Sequence, residues 1–134
     1  MKLSRASGYA VLAVLAIAHH QRKDPGGVVQ IKDIAAEFDL SQEYIAKLLT
    51  VLVKARILNS GRGRHGGFTL RQRASETTIL DIVEAVDGPL ETVNLLSRVG
   101  GDEQVRENVG AMFDGALEGL RRVLAARSID QLMH

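Results

Sequence analysis

Eight residues from Ser60 to Gly67 read SGRGRHGG, and four glycines in eight residues rule out a helix or a strand interior. Backbone freedom of that density suits a sharp reversal, where positive φ is available and the chain can approach a ligand closely. Ile57-Leu58 precedes the segment, and Phe68-Thr69-Leu70 follows with apolar–polar alternation. The glycines are therefore the loop of a two-stranded hairpin. Upstream, Ile31, Ile34, Ala35 and Phe38 recur at i, i+3, i+4 and i+7, and Ile45, Leu48, Leu49 and Leu52 repeat that spacing. Between the two runs lies Asp39-Leu40-Ser41, with Ser41 as N-cap of the second helix and Glu43 favourable in its first turn. Two short amphipathic helices joined by a three-residue turn make a helix-turn-helix. When it runs straight into a glycine- and arginine-rich hairpin, the result is a winged helix. The competing reading is a phosphate-cradling nucleotide loop. It fails because the segment lacks G-x-x-x-x-G-K-[ST] and opens no helix.

Charge points to a partner. The formal net charge is +1, but residues 1–75 hold five lysines and seven arginines against five acids. Residues 76–134 hold five arginines against eleven acids. No acid occurs from Tyr44 to Ser75, while Lys47, Lys54, Arg56, Arg62, Arg64, Arg71 and Arg73 fall there. A basic half predicts a polyanion partner, and the acidic half is expected to lie outside that contact. Only five residues are aromatic (Tyr9, Phe38, Tyr44, Phe68 and Phe113), which leaves a stacking platform for single strands almost nothing to stack with. There is no cysteine among the 134 residues. Disulfides, thiolate metal sites and a cysteine nucleophile are excluded. His19, His20, His65 and His134 have no metal-ligand spacing, and no Ser, His and acid spacing suggests a triad, so an enzyme is not expected.

The apolar run Tyr9–Ala18 after Lys2 and Arg5 imitates a signal peptide, but ten residues cannot span a bilayer. It reads instead as a helix capped by Ser4, buried nearly all round. Leu12, Leu15 and Ala16 line one face, and Val11, Val14 and Ala18 widen it. A cytoplasmic location is expected, with no membrane partner. Arg22 to Gly27 is a polar turn, and Val28, Val29 and Ile31 suggest a short strand. Further on, Thr78 and Asp81 form a capping box for a helix ending at Asp87, before Gly88-Pro89. Val99 to Asp102 is a loop, and Ser128 and Gln131 box a last turn. Between them Val105, Val109, Met112, Ala116, Leu120 and Val123 form a helical stripe of about twenty residues, to near Ala126. Gly110, Gly115 and Gly119 interrupt it. Either the helix breaks near Gly110, or small residues serve close packing. A stripe of this length is expected to pack on its mate in a two-fold dimer rather than fold back on its own domain. The fold class is mainly α with a small β-hairpin wing. A winged helix-turn-helix spans 1–89, with its recognition helix at about 41–55 and its wing at about 57–71. Over 90–134 come a linker loop, the long dimerisation helix and a short helical turn.

These segments resemble the Rrf-type family of bacterial winged-helix transcription regulators, the IscR/NsrR/CymR group. The resemblance is carried by MKLSRASGYAVLAVLAIA, QIKDIAAEFDL, SQEYIAKLLTVLVKARIL, the wing Ser60–Leu70 with its S-x-R-G-x-x-G-G-F-x-L pattern, TTILDIVEAVDGPL and the closing RSIDQL. It implies a homodimer on a pseudo-palindromic operator, with recognition helices in successive major grooves and wings at the flanking minor groove. On the recognition helix, Ser41, Gln42, Tyr44, Lys47, Thr50, Val51 and Lys54 are placed to face DNA. Tyr44 equally suits bracing the turn. Arg62 matches the family's minor-groove arginine, with Arg64 and His65 assisting.

Three departures stand out. Many members hold an iron–sulfur cluster through three cysteines in the region matching Leu95–Met112, and this chain has none, so no cofactor is expected. Ala46 stands where relatives often have a glutamate able to read cytosine, and Gln30 where a serine or threonine caps the second helix. The signal then has three sources open to it: a small-molecule effector between the DIVEAVDGP helix and the long helix, a protein partner, or no ligand at all. A DNA-binding repressor is the expected function. The alternative class is a winged-helix protein-interaction module that no longer binds DNA.

Overall fold

In the computed structural model, which describes residues 3–61, 66–91, 96 and 98–133, the first helix, α1, runs Arg5–Lys23. The Ser4 side chain caps it by accepting from Ser7 N–H. Its buried residues are Ser7, Ala10, Ala13, Val14, Ile17 and Ala18. This corrects the expected face, since Leu12 is 42 % exposed and Leu15 and Ala16 are only half-buried. The helix is not buried all round. Its small residues, not its leucines, face inward, where α1 meets the fourth helix, because helices approach most closely over alanine and serine.

Helix α2 (Ile31–Phe38) starts from Gln30, which makes no side-chain cap, and ends at Asp39 in the left-handed region, φ 52°. Helix α3 (Gln42–Lys54) is capped by Ser41 and buries Ile45, Leu48, Leu49 and Leu52, the four residues that the spacing selected. Strands β1 (Leu58–Ser60) and β2 (Phe68–Leu70) pair antiparallel, with Leu58 opposite Leu70 and Ser60 opposite Phe68. The strand expected around Val28–Ile31 reduces to one bridge, Val29 to Phe68. Gln30 already serves as N-cap of α2, which leaves no length for more pairing.

After a 3-10 turn at Ala74–Glu76, helix α4 (Ile79–Asp87) begins with the complete Thr78/Asp81 capping box. Asp87, at its far end, takes hydrogen bonds from the Ser4 hydroxyl and backbone N–H, so α4 and the start of α1 are tied across 83 positions. Helix α5 (Glu103–Ala125) is continuous through Gly110, Gly115 and Gly119, so the break near Gly110 does not occur. A final 3-10 turn spans Asp130–Leu132. Only half of its expected box forms: Gln131 Oε1 accepts from Ser128 N–H at 3.0 Å, while the Ser128 hydroxyl donates to Asp130.

The core joins α1, α2, α3, β1 and α4 through Ile17, Ile34, Ile45, Leu49, Leu52, Leu58 and Ile82. Fully buried Ile129 belongs to the same cluster, and its N–H donates to Thr77 O at 2.8 Å. The end of the chain thus closes back on the helix-turn-helix.

Candidate nucleic-acid interface

Helix α3 owes its orientation to its apolar stripe. With 100° per residue, burial of Ile45, Leu48, Leu49 and Leu52 turns Glu43, Lys47, Thr50 and Lys54 to the opposite side, and all four are exposed. Gln42 and Val51 flank them, also exposed, with half-buried Ala46 between. Ser41 is exposed, but its hydroxyl oxygen is engaged as the cap, accepting from Tyr44 N–H at 3.1 Å. The Thr50 hydroxyl donates to Ala46 O at 2.8 Å. Lys47 Nζ lies 3.6 Å from Glu43 Oε1, with the two side chains 76 % and 83 % exposed.

Tyr44 sits differently from its neighbours. It is half-buried, and its ring meets Tyr9 of α1 edge-on, centroids 6.0 Å apart and planes at 87°. That geometry is favourable for an aromatic pair and braces α3 against α1.

The wing is anchored along its base. Phe68 N–H donates to Val29 O at 2.8 Å and Val29 N–H to Phe68 O at 3.1 Å, which adds a third strand for one residue. Gly61 N–H donates to Gly67 O at 2.8 Å. On the outer edge, Leu70 N–H donates to Gln21 Oε1 of α1 at 2.8 Å, and Gln30 Nε2 reaches Gly66 O at 3.5 Å. The hairpin is thereby fixed to both α1 and the entry to α2. Arg62, Arg64 and His65 lie outside the described residues.

On the long helix, Val105, Met112 and Val123 are each more than half exposed and Ala116 is exposed, whereas Val109 and Leu120 are half-buried. Helix α5 packs on α4. Its other half-buried residues in the second half include Leu117, Arg121 and Leu124, about a quarter turn from the stripe. A Cβ at Gly110, Gly115 or Gly119 would meet nothing within 4 Å.

A separate cavity of about 280 Å³ lies between the turn that follows α3, the segment after β2 and α4, lined by Arg56, Ile57, Gln72, Thr77, Asp81 and Glu84 among others. No residue of α5 lines it. Its carboxylates serve the fold: Asp81 closes the capping box, and Glu84 Oε2 accepts from Leu90 N–H at 2.8 Å.

Sequence reasoning missed Glu43 as a member of the outward face and treated it only as a favourable first-turn charge. The signal was available, because 43, 47, 50 and 54 are spaced i, i+4, i+7 and i+11 on one helix.

Comparison with known proteins agrees with this geometry. The chain is 38 % identical over 94 residues to the protein rrf2 of Nitratidesulfovibrio vulgaris, a match covering 68 % of this chain and 61 % of that one. It is 28 % identical to the HTH-type transcriptional regulator IscR of Photorhabdus laumondii over 100 % of this chain and 80 % of that one. Among solved structures, CymR (YrzC), the global cysteine regulator of B. subtilis, superposes with a TM-score of 0.79 at 25 % identity, covering 98 % of this chain and 95 % of that one. The chain spans 56 to 61 % of the length of the first curated relatives it matches. Among the described residues no helix is long and apolar enough to cross a membrane.

The sequence profile described as "Rrf2: Iron-dependent Transcriptional regulator" matches residues 3–134. Iron finds no fitting ligands here: the sequence has no cysteine, and among the described residues no three of His, Asp and Glu are grouped to hold a metal ion. With a winged helix-turn-helix, an anchored hairpin and a profile match along nearly the whole sequence, the chain belongs to the Rrf2 family of transcriptional regulators.

Proposed function

We propose that the chain is a sequence-specific DNA-binding regulator, acting in the cytoplasm as a homodimeric repressor on a two-fold symmetric operator. The observation that carries this reading is the outward face of α3, where Gln42, Lys47, Thr50 and Lys54 stand exposed beside a hairpin tied to the same core. A helix presenting amides, hydroxyls and ammonium groups on a convex, basic surface fits the major groove, whose edges offer complementary donors and acceptors. Arg62, with Arg64 and His65, is assigned to the minor groove on the strength of the family's wing pattern.

The homodimer rests on α5. Exposed Val105, Met112 and Val123 would lose water contact against a second copy. Gly119, which lies beside that stripe and whose added Cβ would meet no described atom within 4 Å, leaves room for close helix approach. The family consists of regulators rather than enzymes. An effector, whether a small molecule or a protein, would act by changing how two α3 helices are spaced.

Selection of bound fragments from the host genome by the purified chain tests the reading, followed by fluorescence anisotropy on the recovered duplexes. A recurring two-fold symmetric site, bound by a species of twice 14.5 kDa, is the expected result. Weak binding with no preferred site would sink it and return the interaction-module alternative.

A further inference from the structure

The cavity of about 280 Å³ beyond the end of α3 is lined by none of the residues assigned to DNA. Its size lies at the lower end for ligand pockets and suits a small metabolite. Among its lining residues Ile57 and Thr77 are buried, Glu84 is half-buried, and Arg56, Gln72 and Asp81 are exposed.

The polar groups divide by sign. On α4, Asp81 and Glu84 stand three positions apart and so share a face. Each gives one oxygen to the fold: Asp81 Oδ2 accepts from Thr78 N–H at 3.0 Å, and Glu84 Oε2 from Leu90 N–H at 2.8 Å. Asp81 sits in the first turn of α4, where the helix dipole offsets its charge. Glu84 lies past that turn, and among the described residues no cation pairs with it. From the turn that follows α3, Arg56 likewise has no hydrogen bond or ion pair through its guanidinium among the described residues, and the Gln72 amide has none. One cation and one carboxylate thus border the same small space without pairing. A guest gains from both only if it carries a carboxylate for the guanidinium fork and an ammonium for Glu84. A simple anion would meet two carboxylates, and a simple cation would meet the arginine.

The backbone holds Arg56 in place against its preference. Its φ is 65°, in the left-handed region where helix endings usually place glycine. Arg56 N–H donates to Val53 O and Ile57 N–H to Leu52 O, both at 3.0 Å, which closes the last turn of α3. Glycine would close that turn without strain. What the position gains from arginine is the guanidinium, and strain of this kind gathers at binding sites.

We infer that this cavity is a binding site for a free amino acid, its carboxylate held by Arg56 and its ammonium by Glu84, with the Gln72 amide open to its side chain. Binding itself does not depend on the function proposed above. Ala55 caps α3 and lines the cavity, and α4 packs on both α3 and α5. A bound amino acid would therefore join the recognition helix to the element that carries α5 and act as an effector, a consequence that rests on the regulator reading.

Calorimetric titration of the full chain with each standard free amino acid in turn tests the site, with propionate and propylamine as singly charged controls. At least one amino acid should bind saturably with a Kd of about 1 mM or below, and neither control should bind at that level. Glu84→Gln keeps an oxygen for Leu90 N–H and loses only the charge. Arg56→Gly removes the guanidinium and relieves the left-handed strain, so its thermal midpoint should rise. Each variant should bind the same amino acid roughly tenfold more weakly or worse. The inference is overturned if no amino acid binds, if both variants bind as the native chain does, or if either control binds as well. Anisotropy on the selected duplexes, with and without the amino acid, keeps the two readings apart. If no duplex is selected but the amino acid binds and the variants lose it, the regulator reading falls and the site stands.

Discussion

A Cβ added at Gly67 would sit 2.8 Å from Val29 O and 3.0 Å from the Val28 side chain, closer than a carbon can rest against backbone. The wing meets the entry to α2 there, and only a residue without a side chain lets Val29 and Phe68 exchange both hydrogen bonds. Gly67→Ala should destabilise the chain by about 1–3 kcal/mol, the range for forced overpacking, as read by urea unfolding. An unchanged midpoint would mean that Val28 and Val29 yield freely and the anchor is soft. Arg62→Ala should leave stability alone and weaken specific duplex binding by about 1–3 kcal/mol, the scale of one good groove contact. Affinity equal to the native chain's would remove the wing arginine from the interface. The Ser41 cap, the Thr78/Asp81 box and the buried residues of α3 were legible in the sequence because their partners lie within four positions. The Gln21 bond to Leu70 and the Ser4 bonds to Asp87 span 49 and 83 positions. No local pattern encodes contacts at that range.

Between elements, contrast in the sequence decides what can be read. In α3 polar and apolar residues alternate at helical spacing, so the inward face is unambiguous. In α1 nearly every residue from Tyr9 to Ala18 is apolar, and periodicity has nothing to distinguish. The choice fell to the close approach that Ala10 and Ala13 permit. For α5 the stripe is legible but its partner is not, because a second copy leaves no trace in one sequence. Deleting Gln104–His134 is a poor test, since it would also strip Ile129 from the core. A single charge is cleaner. Met112→Glu, at a side chain about two-thirds exposed in the single chain, should leave helical content intact yet shift sedimentation from dimer to monomer. An intact dimer at micromolar concentration would take this face of α5 out of the interface. Gly110→Ala, which meets no neighbour and lies off the stripe, should instead stabilise the helix by about 1 kcal/mol.

At the scale of the whole molecule, charge is sorted along the chain, and the fold keeps part of that sorting in space. The outward side of α3 belongs to the basic half, whereas α5 lies in the half where acids outnumber arginines eleven to five. A dimer joined through α5 would therefore carry its repulsive charge away from the duplex and its attractive charge toward it. Neutralised phosphates release condensed counterions, so each lost contact lowers the dependence of log affinity on log salt by about 0.9. Lys54→Glu should then weaken binding to every duplex, specific or random, and flatten that slope by about one for each protomer. Arg122→Glu reverses an equal charge on α5 and should leave the slope within error of the native value. The pair of slopes separates a surface with one DNA-facing side from a molecule that attracts DNA by diffuse charge. In the second case both reversals would flatten the slope alike, and the outward face of α3 would lose its claim to be the place where the duplex docks.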